Sequence, residues 1–275
     1  MIRRLMLSVA GAVLCLPALG QEGPLQDVPP KGHTPQEIIQ IVAQKEVAFK
    51  RARENYVYRQ DEHVQEYDGH TAVGEYRMVE DVTFDDRGKR QENVVLAPEN
   101  TLRNVSLTRQ DETDFRSIFS FVITPDLIPV YDIKYLGMQK EDELNTYVFD
   151  LNPVKLEKNK RYFKGRIWVD DQDLLIVKTS GIGVPNGKDN QPVPFTTWRE
   201  QVDGKYWFPT YTSGEANICA QDKHGVCMDS GTPIKVSVKY TDYKQYKATS
   251  TITFGGEVDD TQQNQAPPPT APNPK

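Results

Sequence analysis

Hydrophobic and polar positions along this chain follow two different periods. From residue 34 the period is helical. Ile38, Ile39, Ile41, Val42, Val47 and Phe49 make an amphipathic face. The run opens with Thr34, Pro35, Gln36 and Glu37. Thr34 can cap the helix, Pro35 suits its first position, and Glu37 completes a capping box. This pattern predicts a helix from Thr34 to about Asn55. From Tyr56 the period becomes two. Tyr76, Met78, Val82 and Phe84 share one parity, and Asp85-Asp86-Arg87-Gly88 reads as a turn before Val94 to Leu96. Tyr147, Phe149 and Leu151 alternate with polar neighbours, as do Phe163, Gly165, Ile167 and Val169. Ile234, Val236, Val238 and Tyr240 show the cleanest alternation. Strands of this texture joined by short Asp/Gly turns predict an antiparallel sheet with one wet face.

One helical pattern interrupts the strands. Phe115, Ile118, Phe119 and Val122 fall at i, i+3, i+4 and i+7, with Asp111 or Asp114 as the cap. Residues 184–195 carry Pro185, Asn186, Gly187, Pro192 and Pro194, which predicts a long surface loop. Residues 255–275 are rich in Pro, Gln and acids and read as a disordered tail, while 21–33 read as a flexible lead. The expected fold class is therefore α+β: one domain over 34–254, with helices segregated to one side of an antiparallel sheet.

The first twenty residues have a different texture. Arg3 and Arg4 precede an apolar run from Leu5 to Leu16, and Ala18-Leu19-Gly20 has the small-x-small form of a signal-peptidase site. The run is shorter than the ~20 residues that span a bilayer, so cleavage after Gly20 is expected rather than an anchor. Cys15 follows Leu14 rather than the small residue that lipidation needs. No later segment reads as a transmembrane span. Loss of Arg3 and Arg4 leaves 31 basic against 39 acidic residues, a net charge of −8. That balance argues against nucleic acid as a partner.

Export changes the meaning of the two remaining cysteines. Cys219 and Cys227, an even pair in an oxidising compartment, are expected to form a disulfide across a short polar loop. A metal at Cys219, His224 and Cys227 would lack a fourth ligand. No nucleophile elbow, zinc-protease helix, phosphate loop or cofactor motif is present. His63 and His70 flank a turn and could approach across a hairpin. Asp170-Asp171-Gln172-Asp173 is dense enough in carboxylates to suggest a hard cation, but its place between two strands makes a turn the better reading. Trp168, Trp198 and Trp207 could help the Phe115 helix enclose an apolar pocket; composition alone favours a plain packed core.

Two stretches carry a resemblance. Arg161-Tyr-Phe-Lys-Gly-Arg-Ile-Trp-Val-Asp170 runs through an acidic turn into Leu174-Leu-Ile-Val-Lys178, and Asp203-Gly-Lys-Tyr-Trp-Phe-Pro-Thr210 follows. In these the chain resembles the outer-membrane lipoprotein-sorting (LolA-like) superfamily, and it is similar to a group of exported bacterial proteins with the same stretches. The resemblance spans roughly Ile38 to Phe254. It implies an incomplete, half-open antiparallel β-barrel with helices covering its open face. It also implies a non-enzymatic periplasmic carrier without cofactor or metal, holding a lipid acyl chain or lipoprotein. Phe115, Ile118, Phe119, Val122, Ile167, Trp168 and Val169 are the expected cavity and lid residues. The rival expectation is an envelope structural or interaction protein, with a packed sheet and an exposed edge or tail that recruits a protein partner. A hydrolase or transferase would need paired carboxylates around a cleft, and no motif pairs them.

Overall fold

The computed structural model describes residues 22–245 apart from 188–190, 205, 223 and 225. The expected signal peptide, the expected tail and residues 246–254 of the domain lie outside the described residues. Helix α1 spans Pro35–Arg53. Its capping box forms as the sequence predicts, with Thr34 Oγ1 accepting from Glu37 N at 3.2 Å and Glu37 Oε2 accepting from Thr34 N at 2.7 Å.

Ten strands follow: β1 (Tyr56–Asp68), β2 (Thr71–Phe84), β3 (Arg90–Leu96), β4 (Tyr131–Glu141), β5 (Leu144–Pro153), β6 (Tyr162–Asp170), β7 (Ile176–Val184), β8 (Phe195–Val202), β9 (Tyr206–Ile218) and β10 (Thr232–Gln245). They form one antiparallel sheet in the order β3-β2-β1-β10-β9-β8-β7-β6-β5-β4. Pairing of β1 with β10 brings the two ends of the domain together in mid-sheet, and the sheet stays open with β3 and β4 as its edges. Residues 97–130 link those two edges and contain helix α2 (Arg109–Thr113), a wide π-type turn (Asp114–Ile118) and a 3₁₀ turn (Ile128–Val130).

One face of the sheet, the core face, carries the main apolar cluster. Phe149, Leu151, Phe163, Ile167 and Val169 come from β5 and β6, and Val236, Val238 and Tyr240 from β10. Ile38, Ile39 and Val42 of α1 and Phe115, Ile118 and Phe119 of the wide turn region join the same cluster. The period-two reading thus assigned these strand faces correctly.

The two sheet edges differ. Along β4, residues 22–28 run as an added strand-like segment. Gly23 N donates to Lys140 O at 2.8 Å, and the pair Gln26 and Met138 exchange two backbone hydrogen bonds of 2.8 Å. Gly137 makes this approach possible, since a Cβ there would lie 2.1 Å from Gln26 O. Its φ of +131° also favours glycine. Backbone pairing of residues 22–28 with this open edge satisfies donors and acceptors that water would otherwise serve. Glu22 reaches Lys178 at 2.5 Å, and Lys178 also meets Glu141 at 2.8 Å and lies 4.2 Å over the Trp168 ring. At the other edge β3 has no such cover among the described residues, and Val94, Val95 and Leu96 are exposed.

Candidate ligand-binding site

The segment that shapes the site starts at α2. Thr108 caps it, its Oγ1 accepting from Gln110 N at 3.2 Å, while Asp111 Oδ2 accepts from Thr108 N at 2.7 Å. The sequence led to a helix centred on Phe115 to Val122 and capped by Asp111 or Asp114. The structure starts it earlier, with Asp111 closing a capping box and Asp114 buried inside the turn. The helix then widens, with Phe119 N donating to Asp114 O at 2.9 Å, before the chain leaves helical conformation. A wide turn inserts one residue into the helical repeat, which changes the faces that an i, i+3, i+4, i+7 count assigns.

Asp114 fixes this turn to the sheet. Arg161 Nε donates to Asp114 Oδ1 at 2.8 Å and Nη2 to Oδ2 at 2.5 Å, and Nη1 donates to Pro185 O. Burial pushes the Asp114 carboxyl above its ordinary range, and the Arg161 guanidinium opposes that shift. Gly183 leaves room for the pair, since a Cβ there would sit 2.6 Å from both carboxylate oxygens.

Between this turn and the sheet lies a cavity of about 310 Å³. Val64 of β1, Ile218 of β9 and Ile234 and Val236 of β10 supply one wall; Val105, Leu107, Phe115 and Phe119 supply another. Asn104, Thr108, Asp114, Arg161 and Gln191 add polar groups. The loop wall is held by Glu66, buried on β1, whose carboxylate accepts from Arg103 N (2.8 Å), Asn104 N (2.7 Å) and Val105 N (2.7 Å). Apolar walls with a few polar groups, at this volume, match the low end of small-molecule pockets at about 300–1,000 Å³.

The seven residues proposed from sequence separate here. Phe115 and Phe119 line this cavity, their rings 5.4 Å apart in an edge contact. Ile118 turns toward a neighbouring cavity, which Val122 also lines. Val122 packs with Phe49, Ala52, Tyr56 and Phe208 in a second cluster. Ile167 and Val169 lie on the core face but in its filled part, fully buried in the main cluster and outside the cavity lining. Trp168 corrects the sequence reading most clearly. It packs on the opposite face with Val148 and Val177, because successive strand residues point to opposite faces. Its Nε1 donates to Gln139 Oε1 at 2.8 Å.

Sequence reasoning missed a buried charged network on the core face beyond Val64. Gln60 and Glu62 of β1, Glu80 of β2 and Arg90 and Glu92 of β3 face inward together, as the register pairs Gln60 with Glu80 and Val82 with Glu92. Gln60 Nε2 donates to Glu62 Oε1 at 2.6 Å. Arg90 donates to Glu92 (2.6 Å), Tyr58 Oη (2.8 Å) and Gln60 Oε1 (3.1 Å). Arg116 of the wide turn donates to Glu92 at 2.9 Å, linking the network to the cavity-forming segment. Burial pushes the Glu62 carboxyl up to about 7; Gln60 and Arg90 oppose this, and Glu80 and Glu92 reinforce it. Burial also raises Glu80, with Glu92 adding to it. Burial acts on Glu92 as well, but hydrogen bonds and charge from Arg90 and Arg116 hold it below its ordinary value. The sequence signal was present: Gln60, Glu62 and Glu66 share the parity of Tyr58 and Val64. It was hidden because their neighbours on the other parity are polar too.

The remaining candidates resolve into structure. Cys219 and Cys227 are joined as the expected disulfide. Asp170 to Asp173 form the β6–β7 turn, with Asp173 N donating to Asp170 Oδ2 at 2.8 Å. His63 pairs with Glu75 at 2.7 Å rather than with His70. Among the described residues no group of three or more His, Cys, Asp or Glu could hold a metal ion, and no helix is long and apolar enough to cross a membrane.

Neither any protein family profile nor any curated protein sequence matches the chain. Solved structures do. In fold the chain is similar to LolA-like proteins. A LolA superfamily protein from Nitrosomonas europaea aligns over 75% of this chain and 94% of its own, at 15% identity and a TM-score of 0.34. A DUF1329 family protein from Desulfovibrio piger aligns over 79% and 95%, at 12% identity and a TM-score of 0.39. A domain described as an outer membrane lipoprotein-sorting protein, from Vibrio parahaemolyticus, aligns over 76% and 94%, at 10% identity and a TM-score of 0.35. These likenesses concern the course of the backbone; at such overlap they carry no argument about ligand or activity.

Proposed function

We propose that this protein is a non-enzymatic binding protein of the cell envelope that holds a lipid acyl chain, free or attached to a lipoprotein. The observation that carries this reading is the cavity of about 310 Å³ walled by Val64, Val105, Leu107, Phe115, Phe119, Ile234 and Val236. In this reading the sheet is a half-open barrel, and α1 with the α2 turn covers its open face. Affinity comes from burial, with no covalent step, and the export signal delivers the protein to the periplasm, where acyl chains must cross water. Opening of the α2 turn admits the chain.

Chain length supplies the test. Each methylene buried contributes about 0.8 kcal/mol, so Kd for saturated fatty acids should fall roughly fourfold per carbon until the cavity is full, then level off. Val236→Trp, which fills the cavity, should abolish uptake. Purified full-length protein without co-purifying lipid by native mass spectrometry, together with no uptake of a fluorescent fatty acid, would sink the reading.

A second reading is supported by the uncovered β3 edge with exposed Val94, Val95 and Leu96. There the protein recruits an envelope partner by pairing a strand to that edge. Val95→Lys should then abolish partner capture and leave acyl uptake unchanged; capture that persists in this variant would overturn the edge-pairing reading.

A further inference from the structure

A second cavity, of about 540 Å³, lies across the α2 turn from the first. Its lining brings together five cations from three places: Lys50 and Arg53 on the last turn of α1, Arg116 on the wide turn, and Lys160 and Arg161 in the turn just before β6. Asp126 and Glu157 are its acidic lining residues. The whole chain has 33 basic and 39 acidic residues, so this local excess of positive charge runs against its average.

Three of the five cations are already engaged. Arg116 pairs with Glu92 at 2.9 Å, Lys160 with Glu157 at 3.0 Å, and Arg161 with Asp114 at 2.5 Å. Lys50 and Arg53 have no ion-pair partner among the described residues. Arg53 is the more telling, because its Nε is buried with no hydrogen-bond partner and its guanidinium stands 5.6 Å over the Phe49 ring. A buried donor without an acceptor is costly and rare in a settled fold. The carbonyl end of α1 accounts for basic residues at its last turn. It does not supply an acceptor to Arg53 Nε. Beneath the charges the floor is apolar, built from Phe121, Val122, Leu127 and Phe163.

Two cations without an ion-pair partner among the described residues, above an apolar floor, match one ligand chemistry: a phosphate oxyanion, free or as the headgroup of an amphiphile. We propose that this second cavity is a phosphate-binding site, with Arg53 and Lys50 contacting the oxyanion and the apolar floor receiving whatever short apolar body the phosphate carries. Arg is suited to this role because its planar fork meets two phosphate oxygens at once. Arg161 lines both cavities, but Lys50 and Arg53 line only the second, so the site stands or falls apart from the acyl reading.

Calorimetric titration of the full-length protein at low salt tests the site with three probes: inorganic phosphate, octyl phosphate and octanol. Octyl phosphate should bind at least about tenfold tighter than octanol, and added salt should weaken it, since exposed charge is screened. Lys50→Gln with Arg53→Gln should erase that tenfold margin, and Arg53→Lys should keep part of it. Lys50→Gln alone alters an exposed side chain and gives a second measurement should the double variant fail to fold. Inorganic phosphate binding on its own identifies a free oxyanion as ligand. Binding of octyl phosphate alone identifies a headgroup, and either result supports the site. Octyl phosphate no tighter than octanol, or Lys50→Gln and the double variant both binding as the natural sequence does, overturns it. Val236→Trp should leave inorganic phosphate binding unchanged, which separates failure of this site from failure of the acyl reading.

Discussion

The core face of the sheet is built from two chemistries. Over β5 to β8 it is largely apolar: Phe149, Leu151, Phe163, Ile167, Ile176 and Phe195 are buried in one cluster, with Thr179, Thr197 and Arg199, the last paired to Glu46 of α1 at 2.8 Å, as its polar exceptions. Over β1 to β3 the same face buries Gln60, Glu62, Glu66 and Glu80, with Arg90 and Glu92 beside them. The first half is held by burial, which is non-directional and tolerates any well-filling shape. The second is held by hydrogen bonds between named atoms, which fail one at a time. The cavity of about 310 Å³ lies beside the polar half, between Val64 of β1, β9 and β10 on one side and the α2 turn on the other. Val64 of β1, Ile218 of β9 and Ile234 and Val236 of β10 supply its apolar sheet wall, and Glu66 of β1 holds its loop.

The comparison is broken most severely in the apolar half. Phe163 is fully buried and stacks on Phe121 with ring centroids 4.5 Å apart. Phe163→Ala should cost about 3–5 kcal/mol in a urea unfolding titration, by lost transfer and the void left behind. A cost under about 1 kcal/mol would mean this half is loosely packed.

The polar half should respond to pH instead. Glu62 has a folded value of about 7 against 4.5 for the free group. The fold therefore keeps a proton that the unfolded chain releases. Stability falls as pH rises from about 4.5 to about 7, by roughly 3 kcal/mol in all, and stays at that lower level above. Glu62→Gln removes this slope. It should be more stable than the natural sequence at pH 8 by about 2–3 kcal/mol and nearly equal to it at pH 4. A variant that is less stable at pH 8 would show Glu62 ionised and usefully paired.

Glu66 tests the loop wall. Glu66→Ala strands three backbone N–H groups, so about 1–3 kcal/mol should be lost. Hydrogen exchange at Arg103, Asn104 and Val105 should speed up, and acyl uptake should fall with it. A variant that loses stability yet keeps uptake would separate the loop from the cavity.

Smaller effects are expected at the edges. Gly137→Ala drives a methyl group into Gln26 O and should release residues 22–28 to protease at a cost of about 1 kcal/mol, with the core unchanged. Val95→Lys on the uncovered edge should change stability by less than about 0.5 kcal/mol. A larger loss there would show that β3 is covered in solution.

Much of the fold was legible in the sequence where one rule acts alone. Helix α1, its capping box, the core faces of β5, β6 and β10 and the Asp-rich β6–β7 turn all follow from local period and turn chemistry. Phe115 and Phe119 line a cavity, and Cys219 is joined to Cys227. The failures have a shared cause. Trp168 was grouped with Ile167 and Val169 because it is large and apolar, although its parity sends it to the other face. On that face it packs with Val148 and Val177 beneath Lys178, which Glu22 reaches from more than a hundred residues away.

The sequence by itself determined helix α1 and its start and the apolar faces of β5, β6 and β10, since these depend on neighbours a few residues apart. Only the tertiary structure decided the rest. It set the place of β10 beside β1, the cover of one sheet edge and not the other, the burial of Glu62 among other charges, and the gathering of Lys50, Arg53 and Arg116 around one cavity. Those features depend on what the closing sheet brings together across long separations, and the alternation of side chains along a strand carries no record of it.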